Sequence, residues 1–232
     1  MRETGRCFAP VLVAAALAAC AAPPAEPDRT AFLAHMPRSI LVLPPLEETP
    51  VADAPYQWLE SITRPLAEQG YYVFPVALVD LILRENGLPT PGEMHQVSLQ
   101  KLGEVFGADA VLYVTLTDWG TSYEVLGSQT TVSIQARLVD VKTGAELWRG
   151  ERTAVDDSGS GGQSNLAGML AVALAYQIST SVSDPSPALA RRANWEMIHD
   201  ETQGLLVGPR HPGFAADQAK RNAVASAPAP AP

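Results

Sequence analysis

Ser39-Ile40-Leu41-Val42-Leu43-Pro44-Pro45 decides how the chain is read. Four apolar residues in a row, rich in branched side chains and stopped by two prolines, are the pattern of a strand buried on both faces. Such strands belong to parallel sheets covered on each side by helices. Downstream, Asp53 stands where it can cap a helix with Pro55 in its first turn, and Tyr56, Leu59, Ile62 and Leu66 recur at helical spacing up to Gly70. Pro65 lies inside that helix and is expected to bend its last turn. Tyr71-Tyr72-Val73-Phe74 then reads as a second strand, which makes strand, helix, strand and so a parallel pair.

Three further helical pieces follow. Leu78, Leu81, Ile82 and Glu85 run to Asn86-Gly87. Thr90-Pro91-Gly92-Glu93 has capping-box spacing, and Ser98 opens a helix ending at Gly107. From Ala108 the period changes to two. Leu112, Val114 and Leu116 share one face, Trp119-Gly120 is expected to turn the chain, and Gly127-Ser128 to turn it again. Val132, Ile134, Ala136 and Leu138 form an apolar face opposite Thr131, Ser133, Gln135 and Arg137, the mark of a strand with one wet side. Asp140 to Gly144 is a tight turn into a last strand through Leu147, Trp148 and Arg152. A helix over Pro187 to Ile198 and an edge strand at Leu205-Leu206-Val207 complete the expectation. The fold class is α/β: a mixed sheet in which a parallel strand-helix-strand unit is followed by an antiparallel meander, with helices packed on the sheet.

Before Ser39 the chain has a different character. Arg2 and Arg6 precede an apolar run from Phe8 to Leu17, and Leu17-Ala18-Ala19-Cys20 offers small residues and then a cysteine. This resembles a bacterial lipoprotein signal, with residues 1–19 removed and Cys20 acylated as the first mature residue. At roughly 0.8 kcal/mol per buried methylene, several acyl chains on one cysteine hold a protein at a membrane almost permanently. Ala21 and Ala22 follow, with no aspartate to resemble the inner-membrane retention signal of enteric bacteria, so the expected location is the outer membrane on its periplasmic side. Residues 20–38 are expected to be a flexible tether, 39–212 one α/β domain and 213–232 a disordered alanine and proline tail.

The chain carries net charge −9; residues 1–19 contribute +1 through Arg2, Glu3 and Arg6, which leaves −10 for the rest. That balance argues against nucleic acid as a partner. The second cysteine, Cys7, lies in the leader, which excludes a disulfide and thiol catalysis. His35, His95, His199 and His211 are scattered and read as solvated residues, and the residues offer no catalytic, cofactor or metal constellation. Gly159-Ser160-Gly161-Gly162 lacks the lysine of a phosphate loop and reads as a linker. Glu47 and Glu48, just past the first strand, and Asp80 are the carboxylates on which an envelope hydrolase or a small-ligand site would rest. Leu166 to Ser183 has no charge at all, which allows a membrane span, although Gln177, Ser179, Thr180 and Ser183 make it weakly apolar; its small residues, Gly168, Ala171 and Ala175 among them, make a candidate helix interface, to be separated from plain core burial by crosslinking at Ala171 or Ala175.

Several stretches carry a family resemblance: Leu41 to Pro45, Arg64 to Asp80, Glu85 to His95, Phe106 to Ala110, Gly120 to Tyr123, Leu138 to Asp140 with Thr143-Gly144, Glu146-Leu147-Trp148, and Leu206 to Arg210. Together they resemble the bacterial lipoprotein family typified by a neisserial surface lipoprotein antigen. The resemblance implies a fold similar to the amino-terminal domain of the translocation protein TolB, a homodimer, and an operon setting beside a lipoprotein similar to the curli secretion channel; the expected partners are lipoproteins of a secretion assembly. It supplies no catalytic residues. The expected role is therefore a non-catalytic, lipid-anchored adaptor.

Overall fold

Ile40, Leu41, Val42 and Leu43 are completely buried, and they divide between two cores: Ile40 and Val42 face one side of a sheet, Leu41 and Leu43 the other. The architecture is that of a computed structural model, which describes residues 27–124, 127–157 and 184–218. Strand β1 (Ser39–Val42) pairs in parallel with β3 (Tyr72–Val73) on one side and β4 (Ala110–Glu124) on the other. The prolines interrupt β1, and the chain resumes as β2 (Leu46–Glu47), again parallel to β4. β4, β5 (Gly127–Asp140) and β6 (Glu146–Asp157) form the antiparallel meander, so the described sheet runs β3-β1-β4-β5-β6. Asp109 locks β1 to the start of β4: its Oδ2 accepts from the Arg38 and Ser39 amides at 3.0 and 3.1 Å, and its own amide donates to Ser39 Oγ at 3.0 Å.

Helix α2 (Ala54–Glu68) buries Ala54, Trp58, Leu59, Ile62 and Leu66, a stripe at three- and four-residue spacing, against the larger core. It continues through Pro65. Asp53 does not cap it by its side chain as expected, because Asp53 is already in right-handed helical backbone within a turn closed by Ala54 N–H to Val51 O at 3.0 Å. Across the same face lies α6 (Ser186–His199), contributing Leu189, Ala190, Ala193 and Met197. The two helices share a buried polar chain: Trp58 Nε1 donates to Asn194 Oδ1 at 3.0 Å, Asn194 Nδ2 to Ser61 Oγ at 2.7 Å, and the Ser61 hydroxyl to Trp58 O at 2.6 Å. The opposite face carries α3 (Val76–Glu85), α4 (Pro91–Met94) and α5 (Leu99–Phe106), which bury Val79, Leu83, Met94 and Leu102 over Leu41, Leu43 and Val111. The expected capping box is complete, Thr90 Oγ1 accepting from Glu93 N–H while Glu93 Oε2 accepts from Thr90 N–H.

Five expectations need correction. Gly127-Ser128 is not a turn but the start of β5, pairing with Glu124 and Tyr123. Trp119-Gly120 is not a turn: β4 runs on to Glu124, with a bulge between Leu116 and Asp118 that shifts the side-chain phase by one and turns Trp119 into the core, 3% exposed. Leu205 to Val207 is not an edge strand. It is an irregular segment tied to the end of α2, with Gln69 Nε2 donating to Leu205 O at 2.6 Å, Gly208 N–H to Gln69 O at 2.7 Å, and the Tyr71 hydroxyl to Leu206 O. The tether reading of residues 27–38 also fails, since α1 (Thr30–His35) docks on β6, burying Phe32. Arg29 fastens its start through Nη1 to Gly204 O at 3.0 Å and Nη2 to Thr202 O at 2.6 Å. At the other end, residues 214–218 of the expected tail make a helical turn.

Asp200 holds the segment to which Arg29 binds. Its Oδ1 accepts from Thr202 N–H, Thr202 Oγ1 and Gln203 N–H, each at 2.9 Å. These bonds, the Gln203 amide first, pull its pKa down to about 2. A carboxyl group whose folded pKa is depressed adds stability above the unfolded value near 4 and loses it as pH falls toward the folded value. Stability is therefore expected to decline between about pH 4 and about pH 2, and Asp200→Asn to flatten that limb. Solvent screening limits the contribution to about 1 kcal/mol. Denaturation midpoints across this range check it; a variant with the wild-type acid slope would contradict it.

Candidate functional site

Cys20 and the interface candidates Gly168, Ala171 and Ala175 lie outside the described residues, as do the Gly159 to Gly162 loop and the Leu166 to Ser183 segment. No helix among the described residues is long and apolar enough to cross a membrane. The candidate carboxylates do lie within them. Glu47 Oε1 accepts from the Thr49 hydroxyl at 3.4 Å, and the Glu48 amide donates to Leu116 O at 2.9 Å. On α3, Asp80 pairs with Arg84 Nε at 2.9 Å, and partial burial raises its pKa. Glu47 and Asp80 thus have separate local partners, and none of the three lines the grooves on the meander.

Those grooves lie at β6. The first, about 410 Å³, runs between α1 and β6 over a floor of Phe32, Leu147 and Trp148, with Arg29 and Gln203 at its wall. Trp148 lies in this floor because the register slips where Leu138 pairs Trp148 and Val139 pairs Glu146, which makes Leu147 an extra residue of β6 and buries both side chains. Its indole Nε1 donates to Gln203 O at 2.8 Å.

The second groove, about 350 Å³, opens on the meander's polar face. Strand pairing sets its side chains in transverse rows. Tyr113 is opposite Arg137, which is opposite Arg149; in the next row Thr115 is opposite Gln135, which is opposite Glu151. His95, just past α4, closes one end: its ring meets Tyr113 edge-on at 5.3 Å, and Nε2 lies 2.9 Å from Pro44 O. A carbonyl only accepts, so Nε2 carries the proton and Nδ1 is bare in the neutral ring. Burial, foremost, lowers the His95 pKa and Arg137 adds to the effect, so the ring is neutral near pH 7. The Arg137 guanidinium lies 4.7 Å from the Tyr113 centroid, and burial raises the Tyr113 pKa.

Strand periodicity places Gln135 and Arg137 on the wet face, whereas His95, which reads from sequence as a solvated residue, is half-buried against Tyr113. The signal that could have found it was the capping box just before it, which fixes where α4 sets the ring down.

A sequence model of the family described as "Putative lipoprotein GNA1162-like" matches residues 27–210. The Neisseria meningitidis serogroup B protein named "Putative lipoprotein NMB1124/NMB1162" is 41% identical over 207 residues, covering 88% of this chain and 94% of that protein. The crystal structure of lipoprotein GNA1162 from Neisseria meningitidis is 46% identical and superposes with a TM-score of 0.51, covering 62% of this chain and 99% of that one. Matched along nearly all its described length and to a close relative of almost the same extent, the chain belongs to the GNA1162-like lipoprotein family.

Proposed function

We propose that the protein is a lipid-anchored component of the bacterial envelope, held through Cys20 at the outer membrane and facing the periplasm. There it acts as a non-catalytic, dimerising adaptor of a secretion or transport assembly. Membership of a lipoprotein family and the Leu17-Ala18-Ala19-Cys20 leader support the anchor. Ala21-Ala22 after the cysteine supports the outer membrane.

The observation that carries the adaptor reading is how the polar groove is furnished. His95 is oriented through Nε2 on Pro44 O, Tyr113 lies beside the Arg137 guanidinium, and the carboxylates Glu47 and Asp80 are engaged elsewhere, so the groove presents a fixed cation and hydrogen-bonding side chains suited to holding a ligand. Affinity capture from mildly solubilised envelopes is expected to recover a second envelope lipoprotein with this one. Repeated recovery of this protein alone would sink the reading. Labelled palmitate incorporation on Cys20, lost in Cys20→Ala, tests the anchor separately.

A further inference from the structure

Arg137 and Arg149 are directly opposite on β5 and β6, an arrangement that destabilises a sheet unless the charges are compensated. Arg149 is compensated: Glu146 grips it through two bonds at 3.0 and 2.7 Å. Arg137 is not. Among the described residues its guanidinium meets the Tyr113 ring and no carboxylate, although the chain as a whole is strongly acidic. The cation is also preorganised, because the ring beneath it is 7% exposed and wedged by His95, itself fixed to Pro44 O. A planar donor held 4.7 Å from the centre of a rigid ring and exposed to the groove is suited to gripping a carboxylate with two parallel bonds.

The rest of the groove narrows the ligand. Gln135 and Thr115 add neutral hydrogen-bonding groups in the next row. Glu151 lies in that row too, diagonal to Arg137 on the neighbouring strand and so about 7–8 Å away by sheet geometry. A phosphate monoester, with about −1.5 to −2 charges, would be repelled by Glu151. A single carboxylate on a peptide suits both ends, since the backbone supplies N–H groups for Glu151 to accept. Beyond β6 the groove meets the apolar floor of Phe32, Leu147 and Trp148, the two concavities sharing Arg149, Gly150 and Glu151.

We propose that this groove is a docking surface for a peptide segment of a partner protein bearing one carboxylate, Arg137 holding the carboxylate and Glu151 accepting from the segment's backbone. The assignment rests on the adaptor reading and names the chemistry by which the partner is held. Lipidated full-length protein in neutral detergent is titrated by calorimetry with a capped five-residue peptide containing one central aspartate, and with its asparagine counterpart. The aspartate peptide is expected to bind about tenfold more tightly, the loss of one charge-assisted pair. Arg137→Gln should erase that ratio, Arg137→Lys should keep part of it, and Lys142→Gln, an exposed cation on the β5–β6 turn, should keep all of it. A wild-type ratio near one, a ratio that survives Arg137→Gln, or displacement of the peptide by inorganic phosphate more readily than by acetate would each overturn the proposal.

Envelope capture is then repeated with both glutamine variants. Partner lost with Arg137→Gln and kept with Lys142→Gln supports docking at this groove. Partner kept with Arg137→Gln overturns the groove and leaves the adaptor reading standing. Capture of this protein alone by the wild type, together with Arg137-dependent peptide binding, sinks the adaptor reading and leaves the groove a carboxylate site.

Discussion

Trp58→Ala is expected to destabilise the protein by about 3–5 kcal/mol, a large share of the roughly 5–15 kcal/mol that holds a typical domain folded. Trp58 is fully buried, one of the largest side chains to be so, and it fills the space between α2 and α6. Its loss opens a cavity in the larger core and also strands Asn194, whose Oδ1 loses its donor. The two effects are separable. Trp58→Phe keeps most of the packing but not the N–H, so it is expected to cost about 1–3 kcal/mol for the orphaned acceptor alone. Urea denaturation of both variants, followed by circular dichroism, checks the pair. If Trp58→Phe is as costly as Trp58→Ala, the bond rather than the volume holds the helices together; if it costs nothing, the polar chain through Asn194 and Ser61 adds no net stability.

Gly70→Ala is expected to cost about 3 kcal/mol or more. Gly70 has φ +90°, a conformation that L side chains rarely adopt, and a Cβ there would overlap the backbone of His211. Relief would require moving the segment that returns over the end of α2, where Gly208 N–H donates to Gln69 O and Arg210 N–H to Gly70 O at 3.1 Å. Gly87→Ala is the matched control: its φ is +84°, yet a Cβ meets nothing within 4 Å. It should show only the conformational cost, about 1 kcal/mol. Thermal denaturation compares the two, and proteolysis after Arg210 should rise in Gly70→Ala alone. Equal costs at the two positions would mean that the return segment yields freely.

Much of this fold was legible because its signals are local. The buried run from Ile40 to Leu43, the alternation from Val132 to Leu138, the capping box at Thr90 and the glycine at the end of α5 each depend on residues a few positions apart. The corrections arise where structure depends on distant partners. Phe32 is a lone aromatic in an aperiodic stretch, and what buries it lies on β6, over a hundred residues away. The bulge after Leu116 leaves no compositional mark, whereas Trp119-Gly120 looks like a turn. Leu205 to Val207 has strand composition, but its hydrogen bonds run to the end of a helix instead of a ladder. At the groove, alternation put Gln135 and Arg137 on one wet face; it could not show that Tyr113 would lie under Arg137, or that a helix from elsewhere in the chain would seat His95 against it.

The docking of α1 fixes a height as well as a boundary. Arg29 is fastened to Thr202 and Gly204, and the proposed anchor at Cys20 is only seven peptide links from Pro27, which lines the groove beside α1. Seven links reach at most about 25 Å. On that anchor Pro27, at the wall of the groove between α1 and β6, stays within about 25 Å of the lipid-bearing cysteine. A partner then has to offer its carboxylate low, close to the headgroups, which selects proteins standing on the same membrane over those diffusing past it.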